Sequence, residues 1–306
     1  MANPFTSPMQ PWPELAPYAR VVSLPGAGRR IFTFQAGPPA PSGRPALILV
    51  HGLGDEADSW RSVLLPLSRS HQVVALDLPG FGRSDKPDIA YSLAYYGQVI
   101  KELVQTLQLP EVVLVGSSMG AVISQSLGLE NPPWLKGLVL CDGSLSNEGQ
   151  RLSLPLLMFL LPGLGEYLYN RLRKDPQAAY ETLRPYYADL DALPEAERRF
   201  LYQRVNQRVW DDGQRRAYFS ALRGLSAATA RARHNQAALA GLRTPTLLVW
   251  GEADYIFPLA SGQATARLLP DARLVQAPGA GHLPHQERPQ EFLQILAADP
   301  RLGIDC

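Results

Sequence analysis

Cysteine is nearly missing from this chain of 306 residues, which carries only Cys141 and Cys306. Two thiols cannot build a disulfide framework, so a packed core has to hold the fold. Cys141 sits in an apolar run and reads as a small buried residue, while Cys306 is terminal and expected to be mobile. An excess of either charge is missing too. The 29 basic and 28 acidic side chains leave a formal net charge of +1, so nothing speaks for a nucleic-acid partner. Lysine is scarce, with only Lys86, Lys101, Lys136 and Lys174. Long apolar runs are also lacking. The longest, Leu152 to Leu164, is shorter than a bilayer span and is broken by Pro155, Pro162 and Gly163, so no stable membrane insertion is expected. Met1 to Pro17 is proline-rich without the basic-then-apolar pattern of a secretory signal. It reads as an extended arm, and the protein as soluble and cytoplasmic. Five scattered histidines and no Cys/His cluster leave no metal constellation, and no cofactor is expected.

What is present is a regular alternation of strands and helices. Two short strand-like runs, Arg20 to Leu24 and Arg30 to Gln35, flank a Pro-Gly-Ala-Gly turn and predict a hairpin. Continuous apolar runs follow at Ala46–Val50, Val73–Leu76, Val112–Val115, Leu138–Cys141, Thr246–Trp250 and Arg273–Gln276. Such runs suit strands covered on both faces. Between them the spacing of Leu93, Tyr96, Ile100, Leu103, Val104 and Leu107 predicts an amphipathic helix. The alternation implies a mostly parallel sheet with helices on both faces, an α/β architecture. It breaks between about Leu145 and Ala238, where helices such as Glu195–Trp210 and Gln214–Leu225 are expected and no buried strand is. The predicted organisation is an N-terminal arm over 1–18, one α/β domain over 19–144 and 239–306, and a helical insertion over 145–238.

The chemistry-bearing feature is Gly116-Ser117-Ser118-Met119-Gly120, directly after the run Val112–Val115. In this G-x-S-x-G pattern a strand ends in a sharp turn and a helix begins. The central Ser118 is pushed into the open, and the flanking glycines let strand and helix approach. The helix N-terminus adds free N–H groups and a partial positive charge. A serine hydroxyl needs a histidine to take its proton and a carboxylate to orient that histidine. His282, in the glycine-rich Pro278-Gly279-Ala280-Gly281-His282 after the last strand, is the base candidate, with His285 as competitor. Asp254, in a short loop after Thr246–Trp250, is the acid candidate. Glu252 and Asp142 remain alternatives.

These motifs together resemble the α/β-hydrolase fold superfamily, in particular its serine hydrolases with a helical cap. That family's catalytic order of serine, acid and histidine falls here on Ser118, Asp254 and His282. His51-Gly52-Leu53-Gly54 is similar to the family's oxyanion loop, Asp77–Ser84 to its D-x-P-G-x-G-x-S segment, and His282–Pro289 to its histidine loop with trailing E-x-P. The resemblance runs from about Arg20 to the C-terminus, the insertion matching in position only. It implies an α/β-hydrolase fold, an oxyanion hole made by the backbone N–H groups of Leu53 and Met119, and a cap formed by the insertion. His51 is expected to hold the oxyanion loop, and Asp77 and Ser84 to anchor turns. Met158 and Phe159 are candidate pocket residues, and Tyr167, Tyr169, Tyr186, Tyr187 and Trp210 are aromatic positions that could face the cleft. Apolar insertion residues such as Leu152 could instead pack on the core or touch lipid. The function implied is hydrolysis of small apolar carboxylic esters through an acyl-enzyme. The alternatives are a carbon–carbon bond hydrolase of ring-cleavage products, although Leu283 stands where many of those carry Trp, a cofactor-free perhydrolase, or a ligand-binding receptor.

Overall fold

The computed structural model describes residues 3–26, 29–39, 43–146 and 154–305; Leu152 and Cys306 lie outside the described residues. The chain opens with the hairpin β1 (Ala19–Leu24) and β2 (Arg29–Ala36). It continues through β3 (Ala46–Val50), α1 (Leu64–Leu67), β4 (Val73–Leu76), α2 (Leu93–Thr106), β5 (Val112–Ser117), α3 (Met119–Gly128) and β6 (Leu135–Cys141). Six helices then follow without a strand: α4 (Leu154–Leu160), α5 (Leu164–Arg171), α6 (Pro176–Glu181), α7 (Glu195–Trp210), α8 (Asp212–Thr229) and α9 (Ala232–Leu239). The chain closes with β7 (Thr246–Gly251), α10 (Leu259–Leu268), β8 (Ala272–Ala277), α11 (Pro284–Glu287) and α12 (Pro289–Ala297).

The eight strands form one sheet in the order β1-β2-β4-β3-β5-β6-β7-β8. β2 runs antiparallel to both β1 and β4, and every pairing from β4 to β8 is parallel. Strands β3, β4, β5 and β7 are buried at every residue, which is why they read as unbroken apolar runs. Their side chains alternate between two cores, one on each face of the sheet. Ile48, Val50 and Leu114 belong to one, and Leu47, Leu49 and Val115 to the other. β8 departs from the expectation of a strand buried on both faces. It pairs only with β7, and most of its residues are partly exposed because an edge strand has less to cover it.

Parallel pairing also fixes where the loops emerge. Val50 pairs with Gly116, Ser117 with Cys141, and Gly251 with Ala277. The loops that follow β3, β5, β6, β7 and β8 therefore leave the same sheet edge, the carboxyl end where open α/β sheets place ligands.

The N-terminal arm is more than an extended tail. It ends in a 3-10 turn over Pro13–Tyr18 with Leu15 fully buried. Upstream it lies against α7. The Gln207 amide donates to the Ser7 carbonyl at 2.8 Å, Arg204 donates to the Gln10 carbonyl, and the Trp12 and Phe200 rings meet edge-on at 5.2 Å. A proline-rich stretch makes few hydrogen bonds of its own, so its carbonyls are free to accept from α7. That helix is unusual in burying polar side chains: Arg204, Asn206, Gln207 and Arg208 all lie inside.

Candidate active site

Ser118 adopts φ +53° and ψ −115°, a backbone conformation that non-glycine residues rarely take. Such strain costs of order 1–3 kcal/mol and persists only where the surroundings enforce it. Here they do. A Cβ on Gly120 would stand 2.1 Å from the Val50 carbonyl oxygen, and one on Gly116 would stand 2.4 Å from the Gly120 carbonyl. Only glycine lets α3 come this close to the ends of β3 and β5. The Ser118 N–H donates to the Cys141 carbonyl at 2.8 Å, which ties the turn to β6.

His282 lies in the loop after β8 and is 1% exposed. Its Nδ1 is 2.9 Å from Asp254 Oδ2, and both side chains are buried. The backbone N–H of His282 donates to the Tyr186 carbonyl at 2.9 Å, and the Phe257 ring stacks parallel to the imidazole at 5.6 Å. Asp254 Oδ1 accepts from the N–H groups of Ile256 (2.7 Å) and Phe257 (3.0 Å). These two donors occupy Oδ1 and leave Oδ2 for the imidazole. His282 Nε2 has no hydrogen-bond partner among the described residues. Ser118 and His282 line the same cavity, of about 370 Å³. The arrangement is a histidine held at one ring nitrogen by a carboxylate, its other nitrogen uncommitted, lining a cavity that a strained serine also lines.

Two of the three competing candidates, Glu252 and His285, sit elsewhere. Glu252 is exposed and accepts from the Gly279 N–H at 2.9 Å. His285 is fully buried outside the cavity lining. Its Nε2 pairs with Ser59 Oγ at 3.0 Å and its ring lies 4.2 Å from that of Trp60. Burial pushes its pKa down to about 3, so at neutral pH it is an uncharged packing residue. Asp142 is fully buried and lies close to both Asp254 and His282.

The loop after β3 reaches over the serine. A Cβ on Gly52 would meet Ser118 Cβ at 3.3 Å, and Leu53 lines the cavity. His51, beneath, bonds through Nδ1 to the Gly52 carbonyl at 2.7 Å and accepts at Nε2 from the Leu78 N–H at 2.9 Å. Both ring nitrogens are occupied and burial lowers its pKa, so it stays neutral and holds the loop. Met119 is the first residue of α3, where helical N–H groups have no intrahelical acceptor. Among the described residues, the Leu53 N–H likewise donates to no backbone acceptor.

Of the two pocket residues expected from the insertion, Phe159 lines the cavity and Met158 does not. Within an all-apolar turn of helix the sequence does not show which side faces the cleft, and a step of one residue rotates the side chain by about 100°. Tyr169, Tyr186 and Tyr187 also line the cavity, whereas Tyr167 is 60% exposed and Trp210 lies outside the lining. Sequence reasoning missed Tyr218, Phe200, Ile256 and the charged end of the cavity. There Arg208 bonds to Asp55 Oδ1 at 2.7 Å and to Glu56 Oε2 at 2.9 Å, and Arg204 reaches Glu56 Oε1 at 2.7 Å. Burial is the largest influence on Asp55 and opposes its ionisation, but the Arg208 guanidinium, His51 and hydrogen bonds from Ser59 and the Glu56 N–H together hold that carboxyl below its ordinary value. The cavity wall is otherwise predominantly apolar, and these charges pair within the protein.

Residues 45–289 match the alpha/beta hydrolase fold family, and the chain belongs to it. Hydrolase YugF of Bacillus subtilis is 30% identical over 264 residues, covering 83% of this chain and 89% of its own length. Among solved structures, 2-hydroxy-6-oxo-6-phenylhexa-2,4-dienoate hydrolase from Rhodococcus sp. strain RHA1 superposes with a TM-score of 0.75 at 23% identity, over 92% of this chain and 98% of that one. A lipase described as putative, from Acinetobacter baumannii, gives 0.73 at 21% identity over 93% and 90%. At these identities the structural likeness speaks for the fold alone. Among the described residues, no helix is long and apolar enough to cross a membrane.

Proposed function

We propose that this hydrolase cleaves carboxylic esters of small apolar substrates through an acyl-enzyme on Ser118. The observation that carries this reading is His282. It is fixed at Nδ1 by buried Asp254, with Nε2 uncommitted, in the cavity that Ser118 also lines. Ser118 Oγ attacks the ester carbonyl carbon and passes its proton to His282 Nε2, and Asp254 stabilises the imidazolium that forms. The N–H groups of Leu53 and Met119 take the developing oxyanion. The imidazolium then protonates the leaving alkoxide. Water, deprotonated by His282, attacks the acyl carbon and frees Ser118. Helices α4–α9 act as a cap, because Phe159, Tyr169, Tyr186, Val205, Arg208 and Tyr218 close the cavity over the serine. The apolar wall and the internally paired charges favour an uncharged substrate.

The test is a fluorophosphonate probe together with a series of p-nitrophenyl esters. Wild type should label at Ser118 and turn over the esters, and Ser118→Ala should lose both, with kcat falling by about 10⁴-fold or more. Full turnover by Ser118→Ala, or labelling at another residue, sinks the reading. A vinylogous 1,5-diketone assayed in parallel separates it from carbon–carbon bond hydrolysis.

A further inference from the structure

Asp142 stands beside Asp254 and His282, and the proposed mechanism leaves its carboxyl idle. It follows β6 in a left-handed backbone conformation (φ +49°), and its side chain is completely buried. Oδ1 accepts from the Gly251 N–H at 2.8 Å, which anchors it to the end of β7. Oδ2 has no donor and no cation among the described residues. What faces it is the Asp254 side chain. Carboxyl oxygens of Asp142 and Asp254 and a ring nitrogen of His282 lie within 4.8 Å of one another.

Two buried carboxylates within 4.8 Å of one another repel, and the pair is favourable when one of them carries a proton. The surroundings decide which. Asp254 has two backbone donors and the imidazole; Asp142 has one backbone donor. The other titratable groups around Asp142 give it no counter-charge. They are Glu287 on α11, the Cys141 thiol next in the chain, and His282 itself, which is committed to Asp254. Burial first, then the Asp254 charge, push the Asp142 carboxyl well above the usual carboxylate range.

We propose that Asp142 is a positioning residue, a neutral carboxylic acid whose Oδ2–H donates to the Asp254 carboxylate and holds it in line with His282. The proton stays on Asp142 throughout turnover. The assignment rests on the reading of Asp254 and His282 as acid and base, and it adds a fourth member that touches no substrate. It also explains the left-handed backbone at position 142, which brings a short acidic side chain back under the β7 loop.

The test pairs Asp142→Asn, whose amide can still donate to Asp254, with Asp142→Ala, which cannot. The infrared difference between wild type and Asp142→Asn at neutral pH should show the loss of a protonated-carboxyl band; loss of ionised-carboxylate bands instead overturns the proposal. The low-field proton resonance of His282 Nδ1–H should persist in Asp142→Asn and broaden away in Asp142→Ala. The pH profile of Ser118 labelling gives the kinetic readout. Asp142→Asn should leave the acid limb in place and the rate within about threefold. Asp142→Ala should slow labelling about tenfold, the loss of one hydrogen bond to a charged group. It should also move the acid limb up by about half a unit, since a less solvated Asp254 carboxylate holds the imidazolium more strongly. A downward shift in Asp142→Asn, as from removal of a negative charge, or an unchanged profile and resonance in Asp142→Ala, overturns it. If wild-type Ser118 does not label at all, the hydrolase reading has failed, and the infrared and resonance measurements still decide the role of Asp142.

Discussion

A serine at φ +53° is strained wherever it occurs, and at position 118 the strain is enforced by what its neighbours lack. Gly116 and Gly120 let backbone atoms pass where a methyl group would collide. Gly120→Ala is therefore expected to destabilise the fold by about 3 kcal/mol through forced overpacking, measured as a lowered denaturation midpoint. His285 illustrates a different residue-scale effect. Its folded pKa of about 3 lies below the ordinary 6.5 because burial disfavours the charged form. The unfolded chain binds that proton first, so the contribution is intact above 6.5 and is lost as pH falls towards the folded value. The loss accrues at about 1.4 kcal/mol per pH unit at most. A plot of Tm against pH should fall more steeply below 6.5 for wild type than for His285→Gln; parallel curves would contradict this. The sequence marked Ser118, Asp254 and His282 from their motifs, but it left Asp142 and Glu252 open. Glu252 is exposed, and the 2.9 Å contact with His282 is made by Asp254 although Asp142 is buried close by; only folding creates these differences.

Among the elements, α7 carries the least legible information. Its boundaries Glu195–Trp210 follow from local pattern, yet Arg204, Asn206, Gln207 and Arg208 share its buried side with Leu201, Val205 and Val209, so the apolar periodicity that normally marks the buried side is blurred. Arg208 and Arg204 meet Glu56, and Arg208 also meets Asp55, in the loop after β3, which joins the insertion to the sheet through buried ion pairs. Removing one partner of such a pair leaves a charge without compensation. Arg208→Ala should cost about 3–5 kcal/mol, read by denaturant unfolding, and hydrogen exchange should rise in α7 before it rises in β5. Equal protection in the two proteins would argue against this lock. β8 was legible as a strand but not as an edge, because strand order is a property of the whole sheet.

On the scale of the molecule, parallel register brings five loops to one edge, and side chains of the insertion line a cavity of about 370 Å³ that Ser118 and His282 also line. Phe159 belongs to that wall and Met158 does not. Phe159→Ala should shift ester preference towards longer acyl chains, by about tenfold in the ratio of kcat/KM for neighbouring chain lengths, while Met158→Ala should leave the ratio unchanged. A chain-length series with purified variants checks both, and equal effects would remove Phe159 from the pocket. The sequence by itself determined the α/β class, the buried strands and the order of the candidate serine, acid and histidine. Those are written in local runs and short motifs, where a strand buried on both faces must be apolar and a tight turn must carry glycine. Only the tertiary structure decided which acid meets the histidine, which insertion side chains face the cleft, and how buried charges lock α7 to the sheet. Each of these depends on distances between residues far apart in the chain, and hence on the packing of whole elements rather than the pattern within any one of them.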